Sequence, residues 1–290
     1  MTCETPAALP AEPTFEPTVE PTTEPTAKLA SDPTAESATG PTAAATTAAT
    51  TAATTERAGY QVKVETLSVG GIALQICSLL DRQQYSDPLG SAARAGITDT
   101  DWPLFGMVWP SALVLAEAML SIELDGRRVL EVGCGLALAS LVVQRRQGDI
   151  TASDKHPLAG QFLSDNLQLN GLAPLRFVTS DWDAADDALG RFDLIIGSDV
   201  LYERQQPEAL ARFIEAHSGE SMEVMIADPD RGNRNAFTRH MERLGFEYSA
   251  RKVARLPGGQ PYKGRLLSYR RSVRPAVAAA VAVATAGVTR

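Results

Sequence analysis

From residue 110 onward, short apolar runs alternate with segments of helical periodicity, and this alternation constrains the fold more than any other feature of the chain. The spacing predicts a helix over 110–124, with Pro110 in its first turn. A strand over 128–132 follows, then a helix over 136–146, a strand over 150–153, a helix over 157–170 and a strand over 175–179. Further strands are expected at 192–198 and 223–227, and further helices at 207–217 and 235–244. Strands over 247–256 and 265–271 close the pattern around a Gly258-Gly259 loop. Inner runs such as Val129-Leu130-Glu131-Val132 and Leu194-Ile195-Ile196 are almost continuously apolar, the pattern of a parallel sheet covered on both faces. The expected class is α/β: a doubly wound, mostly parallel seven-stranded sheet with a C-terminal antiparallel hairpin.

Upstream, Val62 and Val64 alternate with Gln61, Lys63 and Glu65, and Ile72, Leu74 and Ile76 repeat the period after Gly70-Gly71. Two such runs joined by a Gly-Gly pair predict an N-terminal β-hairpin. The polar stretch 82–101 is long enough to serve as a lid. Residues 1–57 differ in kind. They hold eight of the 18 prolines and repeat Glu-Pro-Thr four times, with prolines at 13, 17, 21 and 25. Proline every fourth residue forbids a helix, and so little apolar surface cannot offset the entropy of ordering. The expected organisation is a disordered Pro/Thr/Ala/Glu-rich tail over 1–57, one folded domain over 58–274, and a disordered Ala/Val-rich tail over 275–290.

The three cysteines, Cys3, Cys77 and Cys134, form neither a disulfide framework nor a metal-ligand pair. His156, His217 and His240 fall at no metal spacing, so each reads as solvated or capping, and no metal is expected. The acidic opening argues against a secretory or transit segment. The longest uncharged apolar run, 275–289, has 15 residues, short of the ~20 of a membrane-spanning helix. A soluble, cytoplasmic protein with no membrane partner is the expectation.

Four motifs fall where strands are expected to end. The first is Val132-Gly133-Cys134-Gly135-Leu136, whose glycines let backbone approach a nucleotide-like ligand. A dinucleotide fingerprint would carry a third glycine where Leu138 stands, and Glu131 would repel a pyrophosphate, so the loop argues against NAD. Cys134, with no His nearby, reads as a small packing residue. The second motif is Asp154, 19 residues beyond Gly135. There a carboxylate can accept both ribose hydroxyls or, alternatively, cap the next helix. The third is Thr179-Ser180-Asp181-Trp182, where Trp182 sets an aromatic face beside the Asp181 carboxylate, suited to stacking adenine and reading its exocyclic amine; core packing is the alternative for Trp182. The fourth is Ser198-Asp199-Val200-Leu201-Tyr202. Open α/β sheets bind ligands at the carboxyl ends of their strands, and four motifs in this order point to one site.

Together with Val108-Trp109-Pro110, these motifs resemble the class I, seven-β-strand S-adenosylmethionine-dependent methyltransferases, and more closely the branch containing protein-lysine methyltransferases and their bacterial relatives. The resemblance spans about residues 67–271, and Asp199-x-x-Tyr202 is its most telling mark. Ala137 stands where a third glycine frequently occurs, a small departure. The resemblance implies a Rossmann-like sheet and S-adenosyl-L-methionine as cofactor, with Trp109, Gly133, Gly135, Asp154, Trp182 and Ser198 lining its site. Cys134 and Asp181 belong to the same motifs, and Glu131 is placed to orient the ammonium end of a methionine moiety. Methyl transfer to an amine is implied, with Asp199 and Tyr202 positioning the acceptor. A protein lysine is the favoured acceptor; a small-molecule amine, or a non-catalytic cofactor-binding interaction module, are the alternatives. Enzymes that methylate nucleobase amines place Asn/Asp-Pro-Pro-aromatic here, and Ser198-Asp199-Val200-Leu201 contains no proline.

Charge is unevenly placed. The net charge is −8, yet residues 231–274 carry 12 basic and two acidic side chains. Arg231, Arg234, Lys263 and Arg265 fall on two loops expected at the acceptor end of the sheet. They are read as an entrance rim that attracts an acidic protein surface, with dispersal on solvated faces as the alternative. A nucleic acid is not expected, because the acidic remainder of the domain would repel a polyanion.

Overall fold

The computed structural model describes residues 54–57, 59–183 and 189–272. Its elements run β1 (Thr54–Arg57), β2 (Tyr60–Val69), β3 (Ile72–Leu79), a single-turn α1 (Ser91–Arg94), a 3-10 helix (Trp102–Gly106) and α2 (Pro110–Ala118). Then follow β4 (Arg128–Val132), α3 (Leu138–Arg145), β5 (Asp149–Asp154), α4 (Ala159–Leu169), β6 (Arg176–Thr179) and β7 (Phe192–Ser198). The domain closes with α5 (Gln206–His217), β8 (Ser218–Asp228), α6 (Arg234–Arg243), β9 (Glu247–Arg255) and β10 (Pro261–Arg271).

The main sheet has the order β6-β5-β4-β7-β8-β10-β9. The β6, β5, β4, β7 and β8 pairings are parallel, whereas β10 runs antiparallel to both β8 and β9. Val129, Leu130 and Val132 of β4 and Leu194, Ile195 and Ile196 of β7 are all fully buried. Strands apolar on both faces must lie mid-sheet with a helical layer on each side. Strand alternation sends Val129, Leu194 and Ile196 into the core shared with α2, α3 and α4, and Leu130, Val132 and Ile195 into the core under α5 and α6. The chain leaves β4 toward β5 on one side, while β7 lies on the other. The carboxyl ends of β4 and β7 therefore flank a topological switch point, where such sheets bind ligands.

Gly70 and Gly71, at φ 53° and 86°, make the tight turn of the expected N-terminal hairpin. The free edge of that hairpin is covered by α4. Asn166 and Asn170, one turn apart, bond the β3 backbone: Asn166 Oδ1 accepts from Cys77 N at 2.7 Å, and Asn170 Oδ1 from Gln75 N at 2.9 Å.

Several element boundaries differ from expectation, among them β10, which begins at Pro261 rather than at residue 265. Thr54–Arg57 pairs antiparallel with β2, inside the segment assigned to the tail. Composition averaged over a Pro/Thr/Ala tract hid four residues that β2 supplies with a ladder, and Arg57 reaches Asp165 on α4 at 2.6 Å. Residues 1–53 and 273–290, which hold the rest of both tails, lie outside the described residues. Helix α2 ends at Ala118 although the apolar pattern runs to Leu124, because Leu120, Ile122 and Leu124 pack on the core from a turn. Strand β8 begins five residues early, with Ser218 paired to Phe192 and Met222 to Arg271. No helix among the described residues is long and apolar enough to cross a membrane.

Candidate active site

A cavity of about 610 Å³ opens at the switch point. Its floor is the loop after β4. Gly133 and Gly135 have φ 57° and 52°, and a Cβ on Gly135 would stand 2.8 Å from the carbonyl oxygen of Phe105. One on Gly133 would meet Val200 Cγ1 at 2.9 Å and the Trp182 ring at 3.5 Å. Both positions therefore exclude side chains, by conformation and by space. Ala137 shares the left-handed backbone (φ 58°) and carries its methyl group there at a cost.

Asp154 ends β5 and faces this loop. Its Oδ2 accepts from Gly135 N and its Oδ1 from His156 N, both at 2.8 Å, which leaves each oxygen a lone pair. Burial pushes its pKa up, against the pull of those bonds. Cys134 lines the cavity as a thiol, pushed well above its usual range by burial. Trp109, Asp181, Trp182 and Ser198 line the same cavity. The Trp109 indole donates to Leu104 O at 2.8 Å, and the Arg82 guanidinium lies 4.4 Å from its ring centroid.

Glu131 does not line the cavity. It is 1% exposed and accepts hydrogen bonds from both the N–H and the hydroxyl of Ser140, in the first turn of α3. Strand alternation puts it on the Val129 face, beneath α3, so it caps that helix rather than meeting a ligand in the loop. Burial pushes it up to about 7.

The opposite wall follows β7. Asp199 sits at φ 57°, its N–H donating to Ala227 O at 2.9 Å, and its Oδ1 accepts from Arg231 Nε at 2.6 Å. Asp tolerates this left-handed conformation better than most side chains, and its use at a strand end aims the carboxylate at the cavity. Tyr202 stands at the mouth, 41% exposed, and the desolvation it does experience raises its phenol to about 12.

Of the expected basic rim, only Arg231 lines the cavity. Arg234 and Arg265 both pair with Asp230, and neither they nor Lys263 lines it. The expectation that all four rim the entrance is corrected accordingly: of the four, Arg231 alone lines the cavity. The segment counted as basic began at residue 231, just past the two acids, Asp228 and Asp230, that the turn folds back against it.

His156 is not solvated, as one of its two expected roles had it, whereas its Nδ1 does accept from Leu158 N at 3.2 Å in the turn that opens α4. It is 3% exposed, lines the cavity, and stacks on Phe105 with ring centroids 3.7 Å apart. Phe105 and Arg82 also line it and carried no sequence signal, whereas Ser180, which lines it too, stood in the third motif without a role of its own. The only cue to His156 was its place two residues after Asp154.

Fold and cavity define a Rossmann-like protein with a cavity at the carboxyl ends of its central strands. The sequence model of the lysine methyltransferase family matches residues 99–245, and the chain belongs to that family. The electron transfer flavoprotein beta subunit lysine methyltransferase of Danio rerio is 31% identical over 134 residues, covering 44% of this chain and 51% of the relative. Protein N-lysine methyltransferase METTL21A of Danio rerio is 28% identical over 164 residues, covering 53% and 74%. The chain thus spans about half the length of the first curated relatives it matches. The solved structure of SMU.776 complexed with SAH shares the fold, at TM-score 0.50 and 13% identity over 72% of this chain and 56% of that one.

Proposed function

We propose that this protein is an S-adenosylmethionine-dependent methyltransferase that methylates the ε-amine of a lysine on a protein substrate. The observation that carries the reading is one cavity bounded by Asp154 and the Gly133–Gly135 loop on one wall and by Asp199 and Tyr202 on the other. The residues suit the cofactor. Glycines that admit no Cβ let a nucleoside lie against the backbone, Asp154 keeps lone pairs for the ribose hydroxyls, and Trp182 offers adenine a face. When bound, S-adenosylmethionine supplies an already activated methyl group.

The protein's task is to align the acceptor and control its proton. A lysine amine titrates near about 10.4 in water and attacks only when neutral. A cavity mouth that desolvates the ammonium favours the neutral form. Asp199 accepts a hydrogen bond from the amine and directs its lone pair inward. Tyr202, protonated up to about 12, orients the amine as a neutral hydrogen-bonding group. The named substrates of the relatives are proteins, which supports a protein acceptor over a free amine.

The test is incubation with methyl-labelled S-adenosylmethionine and a host lysate. Label recovered as methyl-lysine from the protein fraction is the expected result. Label confined to small molecules would move the acceptor to a free amine, and no transfer to any fraction would contradict the reading.

A further inference from the structure

Strand β8 ends on a carboxylate, Asp228, that is 0% exposed and lies outside the cavity lining. Its Oδ1 accepts from Arg231 N at 2.8 Å, and its Oδ2 has no partner among the described residues. Burial pushes its pKa up, against the pull of the Arg231 N–H. A buried acid with one bare oxygen is a costly end for a core strand, where an apolar side chain would be more stable. Its one strong contact is with the turn that follows.

That turn is tied down on every side. Pro229 has a fixed φ, and Asp230 adopts the left-handed conformation at φ 65°. Asp230 pairs with Arg234 of α6 and with Arg265 of β10, the latter at 3.0 Å. Arg231 then reaches back to β7, its Nε 2.6 Å from Asp199 Oδ1. Two residues on, Asn233 Nδ2 donates to Leu201 O at 3.0 Å and to Glu203 O at 2.9 Å. The turn after β8 therefore grips the segment that carries Asp199 and Tyr202. The Arg231 side chain is 40% exposed. A long side chain that exposed loses entropy when held in one geometry, so its pairing depends on how firmly its own backbone is placed.

We propose that Asp228 is a positioning residue for methyl transfer, holding the Arg231 backbone so that the guanidinium sets Asp199 for the acceptor amine. The inference rests on the role given to Asp199 above. With no exposed surface, Asp228 meets neither cofactor nor acceptor, and it acts only through Arg231. Loss of its bond loosens the turn, lets the Arg231 side chain leave Asp199, and slows transfer without touching the cofactor. Once the Arg231 side chain is gone, Asp228 has nothing left to transmit.

A double-variant cycle on the full-length protein tests this. The rate of label transfer from S-adenosylmethionine into a host lysate, protein and small-molecule fractions together, is measured at saturating cofactor. Asp228→Asn keeps an oxygen for Arg231 N but loses the charge assistance, and should slow transfer about threefold; Asp228→Ala loses the bond and should slow it about tenfold. Calorimetric affinity for S-adenosylhomocysteine should not change in either. In an Arg231→Ala background neither substitution should slow transfer further, whereas any change in melting temperature should be the same in both backgrounds. Equal slowing in the two backgrounds would make Asp228 a purely structural residue and overturn the inference. An Asp228→Asn protein as fast as wild type, one that fails to fold, or one that loses S-adenosylhomocysteine affinity would overturn it too. Should Asp228→Ala alone fail to fold, the Asp228→Asn cycle decides. Wild-type protein that transfers label to no fraction would overturn the proposed function and this inference together.

Discussion

Arg231 Nε lies 2.6 Å from Asp199 Oδ1, so the one cation facing the cavity from the β8 loop is held by the carboxylate that ends β7. The Asp199 side chain is 10% exposed and that of Arg231 40%, a pair with its acid inside and its base toward solvent. Arg231 thereby fixes the Asp199 rotamer, and in the proposed mechanism the second carboxylate oxygen serves the acceptor amine.

Asp199→Ala should accordingly lower kcat by about 10²-fold or more, the scale of a positioned acid–base group, while S-adenosylhomocysteine affinity stays within about twofold. Arg231→Ala keeps the carboxylate but frees its rotamer, so its kcat should fall less than that of Asp199→Ala. Steady-state kinetics on both variants checks the order. An Arg231 variant as impaired as Asp199→Ala would place the arginine itself in the chemistry.

Glu131 predicts a pH signature of stability. Its folded pKa, about 7, stands above the ordinary value of 4.5. The folded state thus holds the proton more tightly. This stabilisation is fully present below about 4.5 and is lost as pH rises through about 7. Glu131→Gln retains an oxygen for Ser140 and has no proton to lose. Its melting temperature relative to wild type should therefore rise between about pH 5 and about pH 8, by the equivalent of roughly 2–3 kcal/mol. Parallel melting curves for the two proteins across that range would show that Glu131 does not titrate there.

Ala137 is buried at φ 58°, a conformation that costs an alanine about 1–2 kcal/mol. Ala137→Gly relieves that strain but loses a buried methyl group and adds unfolded-state entropy, each about 0.5–1 kcal/mol. The terms nearly cancel, so urea midpoints should move little. Ala139→Gly, inside α3, has no strain to recover and should cost clearly more. Equal losses in the two variants would contradict the strain argument.

What the sequence made legible was local. Strand β4, the glycine loop and Asp154 sit where period, glycine spacing and chain distance predicted, because each depends on a few adjacent residues. The direction of Glu131 was also written locally: period-two alternation with Val129 turns it beneath α3, though its place before the glycines suggested a ligand. Arg265 reaches Asp230 because β10 pairs with β8, a contact across more than thirty residues. The burial of His156 depends on Phe105, some fifty residues upstream. Neither relationship has a local pattern. Strand β1 is ordered by its partner β2, and no window of its own composition announces it.

The cofactor cavity is the claim on which the rest stands, and calorimetric titration with S-adenosylhomocysteine of wild type and Asp154→Ala tests it most directly. The account predicts saturable one-site binding to wild type, weakened by about 1.5–3 kcal/mol in the variant, the scale of hydrogen bonds to a charged group. Asp154 also accepts from Gly135 and His156, so the melting temperature of the ligand-free variant is measured alongside. Wild-type protein that gives no binding heat and no thermal shift, or an Asp154→Ala protein that melts early yet binds as tightly as wild type, would contradict it.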